Sequence, residues 1–230
     1  LIRTPHANVL VDTGYGVKGS ARDIDKFDLD PGRPLLDHLA GAGLAPDDID
    51  FVILTHLHFD HAGGCTYMED GLKPRPTFRG ARHIIQKYEW EDATGQKPEL
   101  RGAYFQRDFM PLHEAGLVDL IEGEAEVVPG VRVHPAPGHT RGHQLVLVES
   151  GGRTALYPCD LCPTFSHLRT FWTMSYDQSL LDVRRTKPGW IGRAADRGWL
   201  MVSAHDPEIR AAHVARDPDE EFVIREAVPL

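Results

Sequence analysis

Apolar residues along the chain fall into short runs separated by glycine, proline and aspartate, a texture of strands and brief helices. Ala7 to Asp12 reads as a strand stopping at the turn signal Asp12-Thr13-Gly14, and a polar loop follows through Asp30-Pro31-Gly32. Pro34 to Ala40 predicts a helix, with Leu35, Leu36 and Leu39 on one face and Gly41 and Gly43 closing it. Asp50 to Thr55, apolar throughout its middle, predicts a strand buried on both faces. Tyr67 to Phe78, with Pro74 and Pro76, reads as a loop; His83 to Gln86 as a strand; Lys87 to Ala93 as a helix; Tyr104 to Met110 as helical or irregular.

The second half has the same grammar. Leu117 to Ile121, Glu126 to Val128 and Val131 to Ala136 read as strands, and Gln144 to Glu149 with Thr154 to Tyr157 as a hairpin around Gly151-Gly152. Asp177 to Ala195 predicts a helix interrupted at Pro188-Gly189, and Trp199 to Ser203 a last apolar strand. Strand clusters followed by helices point to an α+β fold, two sheets packed face to face with helices outside, in one domain covering residues 1–230.

Composition narrows the function classes. A chain of 230 residues with 41% hydrophobic content can build a buried core. A formal charge of −9 argues against a nucleic-acid partner, which needs a basic face. No run approaches the ~18 apolar residues of a membrane span. No secretory signal is visible, so the expected location is cytoplasmic; the chain begins with Leu1, which leaves a trimmed N-terminus and a removed signal open. Three cysteines do not suggest a disulfide framework, whereas thirteen histidines hint at metal chemistry.

The strongest chemical signal is Thr55-His56-Leu57-His58-Phe59-Asp60-His61, directly after the apolar strand. Imidazole and carboxylate are the donors of open catalytic zinc sites. Extended backbone puts His56 and His58 on one side, and the turn after them can bring Asp60 and His61 to a second ion. Three further ligand types follow three further apolar strands: His139 in Pro137-Gly138-His139-Thr140, Asp160 after Ala155-Leu156-Tyr157, and His205 after Met201-Val202-Ser203-Ala204.

This pattern, from Asp12-Thr13-Gly14 through His205, resembles the metallo-β-lactamase superfamily. The resemblance implies an αββα sandwich whose first N-terminal strand or strands are missing or very short here. It also implies two divalent ions, zinc first and manganese or iron(II) as alternatives. His56, His58 and His139 would bind one, Asp60, His61 and His205 the other, and Asp160 would bridge both. Two metals about 3.5–4 Å apart can share a hydroxide formed at neutral pH, the expected nucleophile of a metal-dependent hydrolase. Asp60 is the candidate catalytic residue, orienting that hydroxide and passing its proton to the leaving group. Asp12 is expected to orient a ligand imidazole.

Within the superfamily, His83 to Glu91, Arg101 to Tyr104 and Gly138 to Gln144 resemble quorum-quenching lactonase-like members. That implies hydrolysis of an N-acyl-homoserine lactone, a small-molecule partner and, by analogy, a homodimer. One departure stands out: those lactonases carry a tyrosine three residues after the bridging aspartate, where this chain has Pro163, and Tyr176 is the candidate replacement. The rivals are an arylesterase or phosphotriesterase, a glyoxalase II-like thioesterase, an iron-dependent oxidoreductase and a non-enzymatic metal-binding protein.

Other signals are weaker. Gly14-Tyr15-Gly16-Val17-Lys18-Gly19 matches a dinucleotide fingerprint, but the residues after it lack amphipathic character, so a glycine loop at the metal rim is the expectation. Cys159 and Cys162 flank Asp160; Cys159 is expected to be a small buried residue, with a redox pair as the alternative. His143 reads as a histidine supporting a ligand or the core, and the remaining histidines as surface or hydrogen-bonded residues. Two aromatic groups, Tyr88 to Met110 and Phe165 to Tyr176, suit either an apolar substrate or core packing.

Overall fold

The computed structural model describes every residue except Asp30, Pro31, Leu72, Gln96, Arg101 and Leu230. Parts of two sequence readings, the loop through Asp30-Pro31 and the stretch beginning at Arg101, therefore lie outside the described residues. The chain divides into two compact units, Leu1–Ile121 and Glu122–Leu230.

The first unit is built on a five-stranded sheet. Its strands are β1 (Ile2–Arg3), β2 (Asn8–Val11), β3 (Phe51–Ile53), β6 (Arg82–Gln86) and β7 (Val118–Ile121), adjacent in that order. From β2 onward the pairings are parallel, so the carboxyl ends of β2, β3 and β6 share one edge. Helices α1 (Ala21–Phe27), α2 (Pro34–Gly41), α3 (Phe59–Ala62), α4 (Lys87–Thr94) and α5 (Gln106–Glu114) supply the rest, with a hairpin of β4 (Thr66–Glu69) and β5 (Lys73–Pro76). The core gathers Leu10, Val52, Leu54, Leu57, Phe109 and Leu112.

Two expectations for this unit are corrected. The proline-containing stretch after Tyr67 is a hairpin, turned by Asp70 and Gly71, both at positive φ. A separate two-stranded sheet has only edge strands, where prolines are tolerated. The polar stretch after Gly19 holds α1, started by a capping box in which Ser20 and Asp23 bond each other's backbone N–H. This helix buries no residue, so no apolar periodicity advertised it.

The second unit is a seven-stranded mixed sheet, ordered β14-β13-β12-β11-β10-β9-β8. Its strands are β8 (Ala125–Val128), β9 (Val131–Pro135), β10 (Gln144–Ser150), β11 (Arg153–Tyr157), β12 (Leu200–Val202), β13 (Ala211–Asp217) and β14 (Glu221–Val228). β9 and β11 are antiparallel to β10, and β12 is parallel to β11. The segments leaving β9, β11 and β12 therefore emerge at the same edge. Helix α6 (Leu180–Arg197) packs its Trp190, Ile191 and Ala194 with Leu156, Met201 and Val214.

Here the predicted interruption at Pro188-Gly189 is absent: α6 runs through Pro188. Proline deletes one helix hydrogen bond, and the buried face on both sides of it holds the helix together. Trp199 to Ser203 is not the last strand, because β13 and β14 follow as a long hairpin.

His83 departs from the surface-or-bonded expectation. It is fully buried on β6, and among the described residues neither ring nitrogen has a hydrogen-bond partner of good geometry. Burial pushes its pKa down to about 4, against a weaker upward pull from the Leu117 and Ala81 carbonyls. The folded chain thus keeps His83 neutral where the unfolded chain protonates it. The associated stability is present in full above the unfolded value of 6.5 and is lost as pH falls toward about 4. His83→Leu in metal-free protein should flatten the acid limb of urea-unfolding stability by on the order of 1–3 kcal/mol. An unchanged pH slope would contradict this account.

Candidate metal centre

At the carboxyl edge of the first unit's parallel strands, polar side chains meet in a network that starts with Asp12. This residue follows β2 in a left-handed conformation, φ 54°. Its Oδ1 accepts from the Thr55 backbone N–H at 2.8 Å, and its Oδ2 lies 2.9 Å from Thr55 Oγ1 and 3.0 Å from His61 Nδ1. Thr55 Oγ1 donates to Asp12 and so accepts from Nδ1 of His56, 3.1 Å away. Both imidazoles are therefore held with the proton on Nδ1, which makes Nε2 the atom that a metal ion would take. That is the usual outer support of metal-binding histidines.

The backbone between His56 and His58 is pinned from another side. Glu89 on α4 is buried and accepts from the Leu57 N–H at 2.9 Å. The His56 and His58 rings lie 4.5 Å apart and those of His56 and His61 4.1 Å apart, and Asp60 Oδ2 is 3.5 Å from His61 Nε2. The motif thus brings His56, His58, Asp60 and His61 together, as expected.

The glycine motif is used by the protein itself. A Cβ on Gly16 would come within 2.4 Å of the Gly63 carbonyl oxygen, and one on Gly64 within 2.2 Å of that of Thr13. Lys18 turns inward, donating to the carbonyls of Gly63 and Thr66 and pairing with Asp108 Oδ1 at 3.1 Å. Burial lowers the pKa of Lys18 and raises that of Asp108, and each charge partly offsets the effect on the other. The loop docks the chain after Asp12 onto the end of the metal motif, which leaves no cradle for a pyrophosphate.

At the edge of the second unit's sheet stand His139, Asp160 and His205. His139 follows β9 at Gly138, whose φ of 139° and closeness to Val183 exclude any side chain there. His139 Nδ1 is 2.8 Å from Asp177 Oδ1, a carboxylate just before α6 and almost wholly buried. Its Nε2 is 3.2 Å from Asp160 Oδ2, while His205 Nε2 is 3.0 Å from Asp160 Oδ1. One carboxylate offers each oxygen to a different imidazole, an arrangement suited to a carboxylate shared between two ions. Cys159 and Cys162 are both buried and not joined in a disulfide, and Cys159 Sγ lies 3.5 Å from Asp160 Oδ1. Burial pushes the Cys162 thiol up to about 12, so it does not have the character of a reactive thiolate. His143 is a buried histidine bonded through Nδ1 to the Ala136 carbonyl.

The donor set fits divalent metal. It is made of imidazole nitrogens and carboxylate oxygens, with three Nδ1 atoms locked by acceptors and Nε2 atoms on the ligand side. Sequence reasoning found Asp12 but missed Glu89 and Asp177. Asp177 stood only as a helix start, and the one signal available was an acidic residue there. Asp12→Asn should retain the fold and lower zinc affinity about 10–100-fold in chelator competition; unchanged affinity would show that Asp12 serves only the turn.

The family model of the metallo-β-lactamase superfamily matches residues 1–192. The chain belongs to that superfamily. Among curated superfamily relatives, an N-acyl homoserine lactonase of Bacillus cereus is 37% identical over 112 residues, 49% of this chain and 38% of the relative. The alignment thus spans under half the length of that lactonase. A crystal structure of a probable metal-dependent hydrolase from Staphylococcus aureus superposes with a TM-score of 0.83 at 28% identity, covering 99% of this chain and 81% of the other. An N-acyl homoserine lactone hydrolase with N-hexanoyl-L-homoserine bound at its catalytic metal centre gives 0.65 at 25% identity, over 89% and 79% of the two chains. The metallo-β-lactamase fold expected from the sequence is borne out.

Proposed function

We propose that this chain is a metal-dependent hydrolase that opens lactones carrying an apolar acyl group, N-acyl-homoserine lactones being the model substrate. His56, His58 and His139 hold one divalent ion, Asp60, His61 and His205 a second, and Asp160 both; zinc is the ion we assign. Ions bound there supply Lewis acidity and lower the pKa of water toward neutrality. The chain's own residues do the rest. Asp12, Thr55 and Asp177 keep the imidazoles in one tautomer. Asp60, partly exposed in the middle of the motif, accepts a proton from the attacking water and returns it to the leaving alkoxide.

The substrate reading is supported by the likeness to N-acyl homoserine lactonases and by a shallow cleft in the first unit, where Tyr15, Phe27, Leu29, Phe59 and Phe105 stand beside the charged Lys18, Asp23, Arg107 and Asp108. Phe59 lies between His58 and Asp60 in the motif, and its ring meets Tyr15 at 5.6 Å, Phe27 at 5.2 Å and Phe105 at 5.3 Å. Phe59 is thus the one residue of the motif that lines the cleft, and its ring cluster offers an acyl chain apolar surface. The same aromatic walls would suit an aryl ester, the second reading. Lactone, aryl ester, phosphotriester and thioester panels on zinc- and manganese-loaded protein separate them. The proposal expects kcat/KM to be highest for lactones and to rise with acyl length; preference for aryl esters or thioesters by tenfold or more would overturn it.

A further inference from the structure

Lys187 on α6 is buried to 1% exposure, yet no ion pair with a carboxylate is found for it among the described residues. A buried ammonium costs several kcal/mol, and an apolar side chain would fill the same space more cheaply. What its charge does have is two strong acceptors: Nζ donates to the carbonyls of His167 at 2.9 Å and Trp172 at 2.6 Å. These bonds close residues 167–172 into a loop whose tip exposes Phe171.

Only Thr173 to Tyr176 separate the anchored Trp172 from Asp177. Within that stretch, the Met174 N–H donates to Asp177 Oδ2 at 2.9 Å, and the Asp177 N–H returns to the Met174 carbonyl at 3.2 Å. Asp177 then presents Oδ1 to His139 Nδ1, while the Gln178 and Ser179 N–H groups donate to the His139 and Gly138 carbonyls. Lys187 is thus linked to an imidazole that the proposed metal centre uses by hydrogen bonds at Trp172, Asp177 and His139, joined by the short backbone stretch from Trp172 to Met174.

We infer that Lys187 is a positioning residue: by anchoring the Trp172 carbonyl it sets where Asp177 sits and so keeps the His139 proton on Nδ1. The geometric part stands without the metal assignment; its consequence for zinc binding rests on the proposed function. The test is Lys187→Met, which keeps all but the terminal atom of the side chain's length and removes its donors, alongside Asp177→Asn. In metal-free protein, histidine ¹⁵N spectra should show His139 as the Nδ1–H tautomer in the parent and as a tautomer mixture in both variants. Zinc affinity in chelator competition should fall on the order of 10-fold in each, and the double variant should lose less than the product of the two.

A folded Lys187→Met protein with His139 still wholly Nδ1-protonated overturns the inference. An altered tautomer with unaltered zinc affinity supports the positioning role and instead contradicts His139 as a metal ligand. If the methionine variant does not fold, Lys187→Gln, which keeps N–H donors without the charge, is read by the same criterion: a retained Nδ1–H tautomer supports donation to the carbonyls as the operative feature, and a lost one means the charge or the length is required. In that case Lys187→Arg, longer and charged, must restore the tautomer; failure of both overturns the inference.

Discussion

Asp160→Asn should bind less than the full complement of metal and lose hydrolysis by at least about 10²–10³-fold. The reasoning is local to the second unit's sheet edge. Both oxygens of Asp160 are engaged, one at 3.2 Å from His139 Nε2 and the other at 3.0 Å from His205 Nε2, and the side chain is almost fully buried. A neutral amide keeps the shape but removes the charge and turns one acceptor into a donor facing a ring nitrogen. The account expects two ions per chain in the parent and fewer in the variant by plasma emission analysis, with near-unchanged circular dichroism. Two ions retained at parental affinity would show that Asp160 is not the shared ligand.

Asp60→Asn is expected to separate chemistry from binding. Asp60 is partly exposed, with its Oδ2 3.5 Å from His61 Nε2. Proton transfer by a positioned group contributes about 10²–10⁴-fold, so kcat should fall by that order. The loss should be smallest for substrates whose leaving group needs no proton, such as nitrophenyl esters. Because Asp60 is also assigned to the second ion, the rates are compared at zinc concentrations that fill both sites: a lowered kcat with both ions present supports the proton-transfer role, and an unchanged rate refutes it.

The parts of this protein that were legible in the sequence share a physical feature. Each loop that carries candidate ligands follows an apolar strand, and strands such as Asn8–Val11 and Phe51–Ile53 announce themselves by their buried apolar residues. The candidate ligands at their ends stood out because a cluster of imidazoles and carboxylates has few other uses. Elements with weak burial were lost. α1 buries nothing, and β14 buries only Phe222, its apolar run Phe222-Val223-Ile224 being short and flanked by Glu221, Arg225 and Glu226. Pro188 was overweighted, because a single lost helix bond is outvoted by Trp190, Ile191 and Ala194 packing beyond it.

The supporting residues were hidden for a different reason. Glu89, Asp177 and Lys187 are ordinary charged residues on or beside helices, and only the folded chain shows them buried, with their partners far away in sequence. Lys18 shows the same effect. Its glycine motif reads as a loop at the metal rim, and nothing in that motif shows that its amine is consumed by the Gly63 and Thr66 carbonyls and Asp108. Spacing reveals groups that act together on one ligand; it says little about groups that act through a backbone carbonyl.

Anomalous diffraction from crystals grown with zinc, recorded on both sides of the zinc absorption edge, is the most direct measurement of the central claim. The account predicts two peaks about 3.5–4 Å apart, one against His56, His58 and His139, the other against Asp60, His61 and His205, with Asp160 touching both. A single peak, or peaks bound elsewhere with these seven side chains unliganded, would contradict it.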